Sequence, residues 1–473
     1  MFQFSNVETL TLFTAATCNL NCSYCYLHKN NSYHTMEKEL VEAWKTGEYV
    51  KNCVKVFNRL GADKKQVKRL ELWGGETLLH VDLIKQNIKD IFREFPNIST
   101  MSLSTNFMID IDKTIELFKE INTYTNKKMH MYFQTSIDGN DPELMSTGHT
   151  GNWEIYKKNF EKLAFFFNNN RLANFKSITV AVKPTIDKDV FLRYFSDIEK
   201  MEEYMDYMHE TYTYLKNTFI NSMIRVGVEF PSPALPLNTY TVEDGQTYAD
   251  ICRKWDSLKI RKWQSFKEEK DNKMILYNIY SVNENLYKER SLNPGSTMGC
   301  FKQITDFTIC PDGTLTDCTS DYILDRDDYY QECLESGNEN DARIAKVYKK
   351  INFNPLKMTN EELTEVIWHV CSGIHYAINT QLNMTMGLID ELALSGQIPW
   401  KYHSDKMLQY KAATFCNSYS MCIRTNVWDT GTTAIRSFGA IRYFLNGLFD
   451  IISEDNSRFN HTVLGSLTYE ENS

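Results

Sequence analysis

Over roughly the first 230 residues, short apolar β-type runs alternate with amphipathic helical segments. This alternation restricts the fold more than any other feature, because strands linked by helices build a parallel sheet. Leu10–Ala15, Leu70–Trp73, Met101–Thr105, Met129–Ile137, Ile178–Val182 and Ile224–Phe230 read as six strands. Between them lie five helical segments: Met36–Leu60 (Thr35 as N-cap, Gly61 as stop), Val81–Phe95, Lys113–Thr123, Trp153–Phe167 and the Tyr- and Met-rich Phe191–Thr218. Six such units predict an α/β fold, a partial (β/α)6 TIM-like barrel. In barrels of this kind the chemistry sits at the carboxyl ends of the strands.

Pro231–Pro236 marks a boundary, and Asn293-Pro294-Gly295 a second. The expected organisation is a barrel over 1–235, a helical linker over 236–295, a small α+β Cys-rich domain over 296–430, and a C-terminal helix and tail over 431–473. The length of 473 residues suits two or three domains, and 42% hydrophobic with 13% aromatic residues is enough for a sizeable core. A net charge of −9 argues against general nucleic-acid binding, which needs clustered Lys and Arg.

No apolar run approaches the ~20 residues of a membrane helix, and Met1–Glu8 has no basic segment of a secretory signal. A cytoplasmic location with no membrane partner is therefore expected. There thiols stay reduced, so the 12 cysteines call for metal ligation rather than disulfides.

Three of them, Cys18, Cys22 and Cys25, form Cys-x3-Cys-x2-Cys on the loop leaving the first strand. Three thiolates so spaced wrap one corner region of a cubane [4Fe–4S] cluster and leave the fourth iron open for a ligand. A structural zinc site would show four ligands in paired Cys-x2-Cys spacing.

With Tyr24 as its aromatic, Cys-x3-Cys-x-aromatic-Cys is the signature of the radical S-adenosylmethionine (SAM) superfamily, and the chain is identified by resemblance as a member. The resemblance implies that the open iron chelates the methionine part of SAM. It also implies that reductive cleavage yields a 5′-deoxyadenosyl radical, which takes hydrogen from a substrate. Gly74-Gly75-Glu76, after the second strand, resembles the family's methionine-amine site, with Thr77 where the family usually has Pro. Thr105-Asn106, after the third strand, resembles its Thr-Asn-Gly, with Phe107 in place of the glycine. Ser136-Ile137-Asp138-Gly139 resembles the ribose-contacting motif, where Ser136 and Asp138 would bond SAM's hydroxyls. Lys183 is either a partner of the SAM carboxylate or a surface lysine.

Further along, Pro311-Asp312-Gly313 between two β-type runs reads as a hairpin turn that brings Cys300 and Cys318 within reach of one another. Cys300-x12-Gly313-x4-Cys318 resembles the opening of the SPASM and twitch extensions, which bind auxiliary clusters. Ala413 and Asn426 stand where a full SPASM domain has cysteines flanking Cys416 and Cys422. The reading is one auxiliary [4Fe–4S] cluster on Cys300, Cys318, Cys416 and Cys422. Cys310, Cys371 and Cys252 are alternative ligands, and a structural zinc on the same four thiolates is the competing arrangement.

Such extensions imply, as the leading expectation, a peptide or protein substrate in ribosomal peptide maturation. The alternatives are a small-molecule dehydrogenase and a sulfatase-maturing enzyme, the latter disfavoured by Thr319 where those enzymes carry an acidic base. A non-enzymatic Fe–S or zinc scaffold is the rival from another class. The implied partners are a peptide substrate and a reductase such as flavodoxin or ferredoxin; since the chain starts almost at its first strand, leader recognition is expected to use the barrel rim, the C-terminal domain or a separate leader-recognition protein.

Overall fold

The structure is a computed structural model that describes residues 7–22, 25, 33–139, 141, 143–144, 153–170, 172–228, 231–233, 306–316 and 353–409, with isolated positions between 247 and 258. The expected boundaries at 235, 295 and 430 fall outside these residues.

Strand and helix alternate as the sequence pattern requires: β1 (Thr9–Ala15), α1 (Tyr33–Lys45), α2 (Glu48–Arg59), β2 (Arg69–Gly74), α3 (Val81–Glu94), β3 (Thr100–Thr105), α4 (Ile111–Tyr124), β4 (Met129–Thr135), α5 (Trp153–Asn169) and β5 (Phe175–Val182). There follow β6 (Thr185–Ile186), α6 (Lys188–Ser196), α7 (Ile198–Thr218), β7 (Ile224–Val228) and β8 (Ser232–Pro233). The later described elements are β9 (Asp306–Ile309), β10 (Leu315–Thr316), α8 (Asn360–Leu394) and α9 (Lys401–Ser404).

The six expected strands form the parallel run β1-β2-β3-β4-β5-β7, and β6 pairs with β8 in a separate two-stranded sheet. Every residue of β1 is buried, and β3 and β4 alternate buried with half-buried positions, as strands do when helices cover one face. α3 packs on α4, α4 on α5, and α5 on α7.

Two expected helices are each broken in two. The segment expected as one helix from Met36 to Leu60 turns at Gly47, whose φ of 68° is left-handed and ends α1. Thr35 lies inside α1, which starts at Tyr33, instead of capping it. The stretch Phe191–Thr218 divides at Asp197, whose side chain accepts from the Glu199 and Lys200 amides and starts α7 afresh. In α7 Met201, Tyr204, Met205, Tyr207, Met208 and Tyr212 are buried, so this Met and Tyr stripe is core packing.

The hairpin around Pro311–Gly313 forms as expected, with Gly313 N donating to Cys310 O at 2.9 Å. Its place in the fold differs from the separate Cys-rich domain of the sequence reading. β9 pairs parallel with β1, Thr9 opposite Asp306 and Leu12 opposite Ile309, so the hairpin extends the barrel sheet on its β1 side. The tie is specific: Tyr49 Oη accepts from Phe13 N at 2.9 Å and donates to Ile309 O at 2.6 Å. The Phe57 ring meets Phe95 and Phe307 edge-on at 5.1 and 5.0 Å. Arg59 donates to the Pro355 and Met358 carbonyls at 3.2 and 2.8 Å and fixes the start of α8 against α2.

Candidate functional site

The motifs gather at the carboxyl ends of β1 to β4. After β1, the amides of Ala16 and Thr17 donate to Glu37 Oε2 at 2.5 and 3.0 Å, and the other oxygen of Glu37 contacts His80 Nε2. Burial alone would raise the Glu37 carboxyl, but His80 and the two amides outweigh it and hold the group below its ordinary range. A carboxylate of α1 thus fixes the entry into the cysteine loop.

Cys18, Cys22 and Cys25 form no disulfide and are half-buried, with Cys25 N donating to Cys22 O at 2.9 Å. Burial pushes the Cys18 thiol up to about 11, against hydrogen bonds from Leu20 N and Asn106 that favour the thiolate. Tyr24 lies outside the described residues.

Gly74 and Gly75 seat β2 on this loop. A Cβ on either would overlap the carbonyl oxygen of Ala15 or Thr17, so only glycine allows the approach. The contact is sealed by Gly75 N donating to Ala15 O and Glu76 N to Thr17 O, both at 2.9 Å.

Glu76 is buried (1% exposed). Its Oε1 accepts from Thr105 Oγ1 at 2.7 Å and Leu78 N at 2.9 Å, and its Oε2 from Asn106 N at 2.7 Å. Burial raises its pKa in spite of these bonds. The carboxylate therefore ties β2 to β3, a role that the sequence motif does not announce.

Asn106 reaches from β3 to the cysteine loop. Its Nδ2 donates to Cys18 Sγ at 3.5 Å and to Asn19 Oδ1 at 2.7 Å, while its Oδ1 accepts from Met108 N at 2.8 Å. Turning the amide over would set donor against donor at Met108, so the network fixes which atom faces the sulfur. The bend that allows this passes through Phe107, the only described non-glycine residue with positive φ, at 63°. Glycine would adopt this φ without the strain that a Cβ adds.

Beyond β4, which ends at Thr135 and not Ile137, Ser136 N donates to Thr105 O at 2.9 Å. Asp138 is buried (1% exposed); its Oδ1 accepts from Thr185 N at 3.2 Å and its carbonyl from Tyr204 Oη at 2.8 Å. Lys183 lies one residue past β5, half-buried, its amide donating to Thr135 O at 2.8 Å. Sequence reasoning missed Glu37, His80 and Tyr156. Tyr156 is buried on α5, and its only sequence signal is a place on an apolar helix face.

Cys300, Cys318, Cys416, Cys422 and Cys252 lie outside the described residues, as does the side chain of Cys371. Cys310 sits in the hairpin turn, buried; desolvation, with Asp312 and Cys53 nearby, pushes its thiol far up. It therefore resembles an inert core thiol. Among the described residues no three His, Cys, Asp or Glu side chains converge on one metal-ion position. A cubane carries its irons at separate corners, so thiols spread along one loop with amide donors at hand suit a [4Fe–4S] cluster.

The fold and site define a partial βα barrel with a thiol-bearing loop after its first strand. Residues 12–185 match the Radical SAM superfamily, and this part of the chain is a domain of that superfamily, whose members are enzymes of radical chemistry. The match implies a [4Fe–4S] cluster and SAM. The chain is also 23% identical, over 265 residues, to a probable GTP 3′,8-cyclase of Methanococcus aeolicus, an alignment covering 56% of this chain and 73% of the relative. No helix among the described residues is long and apolar enough to cross a membrane.

Proposed function

We propose that the protein reductively cleaves SAM and uses the resulting 5′-deoxyadenosyl radical to abstract hydrogen from a peptide substrate. The observation that carries the SAM chemistry is the bracing of the Cys18–Cys25 loop by Gly74-Gly75 of β2 and Asn106 of β3, all at strand carboxyl ends. Cys18, Cys22 and Cys25 would hold the cluster, which when bound supplies one electron to the sulfonium. Around it, the Gly74–Glu76 backbone would seat the methionine part, while Ser136 and Asp138 would take the ribose hydroxyls. Flavodoxin or ferredoxin suits the role of electron donor.

The peptide assignment is supported by the sheet of the described residues, in which the end strands β10 and β7 do not pair with one another; an unclosed side admits an extended chain. A small-molecule substrate is the second reading, favoured by the similarity to a relative named as a GTP cyclase.

Anaerobically reconstituted, reduced protein should release 5′-deoxyadenosine from SAM, and Cys18→Ala, Cys22→Ala or Cys25→Ala should abolish this. Near wild-type release from any of the three overturns the cluster assignment. Offered a candidate peptide deuterated at its modified residue, the enzyme should move the label into 5′-deoxyadenosine. Transfer from a nucleotide or small alcohol alone refutes the peptide.

A further inference from the structure

Tyr156 lies in the first turn of α5 with its side chain buried (1% exposed), and its hydroxyl has no hydrogen-bond partner among the described residues. Buried hydroxyls are almost always paired, so such a group calls for a partner that arrives with a ligand. The position of α5 says where that ligand lies. One turn further on, Asn159 Nδ2 donates to Phe107 O at 2.9 Å, and the Phe160 ring packs on Phe107 at 4.6 Å. The first turn of α5 therefore stands beside the end of β3, next to the residue that bonds Cys18. The surroundings keep the phenol protonated: burial first, then the charges of Asp138, Cys22 and Glu76, all disfavour the phenolate. Tyr156 is thus a protonated donor in the neighbourhood of the segments that follow β2 and β4 and of the cysteine loop.

We propose that Tyr156 is a SAM-binding residue whose hydroxyl donates to a ribose hydroxyl of the bound cofactor. A ribose hydroxyl is the one SAM group that can accept from a phenol while keeping a donor of its own for a second partner. The inference rests on the SAM-cleaving function proposed above.

The test is Tyr156→Phe in the full, reconstituted chain, measured for iron content, SAM dissociation constant and thermal midpoint without SAM. The ring volume is kept and a partnerless hydroxyl removed, so iron content and the SAM-free midpoint should stay the same or the midpoint rise. SAM affinity should weaken about three- to tenfold, the worth of one ordinary hydrogen bond. Unchanged affinity in the variant, where the wild type binds SAM, overturns the role of Tyr156 and leaves the function intact. A lowered SAM-free midpoint also overturns it, since that marks a structural hydroxyl. Failure of the loaded wild type to bind SAM refutes the function itself.

Discussion

Phe107 sets backbone strain against ring burial, and the two can be separated by comparing Phe107→Gly with Phe107→Ala. The ring is fully buried (0% exposed) and packs on Phe133 at 5.6 Å and Phe160 at 4.6 Å. Removing such a side chain costs about 3–5 kcal/mol. The left-handed backbone at φ 63° costs a residue with a Cβ about 1–2 kcal/mol. Alanine loses the ring and keeps the strain, so it should destabilise by about 3–5 kcal/mol. Glycine recovers the strain but adds about 0.5–1 kcal/mol of unfolded-state freedom, leaving a net loss of about 2–4 kcal/mol. The usual order, in which glycine is worse than alanine, should therefore be reversed. Urea and thermal midpoints of the metal-free chain measure it. An alanine variant more stable than the glycine variant would refute the strain, and a glycine variant as stable as wild type would refute the ring's contribution.

Asn106→Leu keeps bulk but removes the donor to Cys18; by favouring the less charged oxidised state it should move the cluster's midpoint negative by about 59 mV per tenfold loss, read by redox titration. Glu76→Gln sets an amide group against the Asn106 N–H and should cost about 1–3 kcal/mol, seen in the urea midpoint. Because burial raises the folded-state pKa of Glu76, the folded chain holds a proton that the unfolded chain releases. Wild-type stability should therefore fall as pH rises from the ordinary Glu range through the raised value, and Glu76→Gln should remove that slope. Cys300→Ala or Cys318→Ala should halve an iron content of about eight per chain, two cubanes, whereas zinc bound without iron loss would favour the structural-zinc arrangement.

The strands were legible because their apolar runs are short and most stop at or near Gly, Pro or Asn, and the site motifs because each falls just past such a run. Helix breaks were less so: Thr46-Gly47 interrupts a pattern that stays amphipathic on both sides, and only the left-handed φ at Gly47 shows the turn. Pairing across distance was not legible at all. Nothing in Asp306–Ile309 says that its partner is β1, since a β-type run carries face preference but no address. The same holds for Glu37, which looks like any acid on a polar helix face until the Ala16 and Thr17 amides are found against it. Tyr156 reads as one more apolar contact of α5, because periodicity reports burial and not the state of a hydroxyl.

The pairing of β9 with β1 also has a consequence in time. The strand that carries the cysteine loop is made first, but its outer neighbour emerges roughly 290 residues later. At about 5–20 residues per second, synthesis leaves that edge unpaired for about 15–60 s. During that interval β1, whose seven residues are all buried in the finished fold, offers unpaired amides and carbonyls, the kind of edge on which other chains add. Nascent chains stalled before residue 306 should therefore be the species that aggregates, and addition of β9 to β1 closes that route.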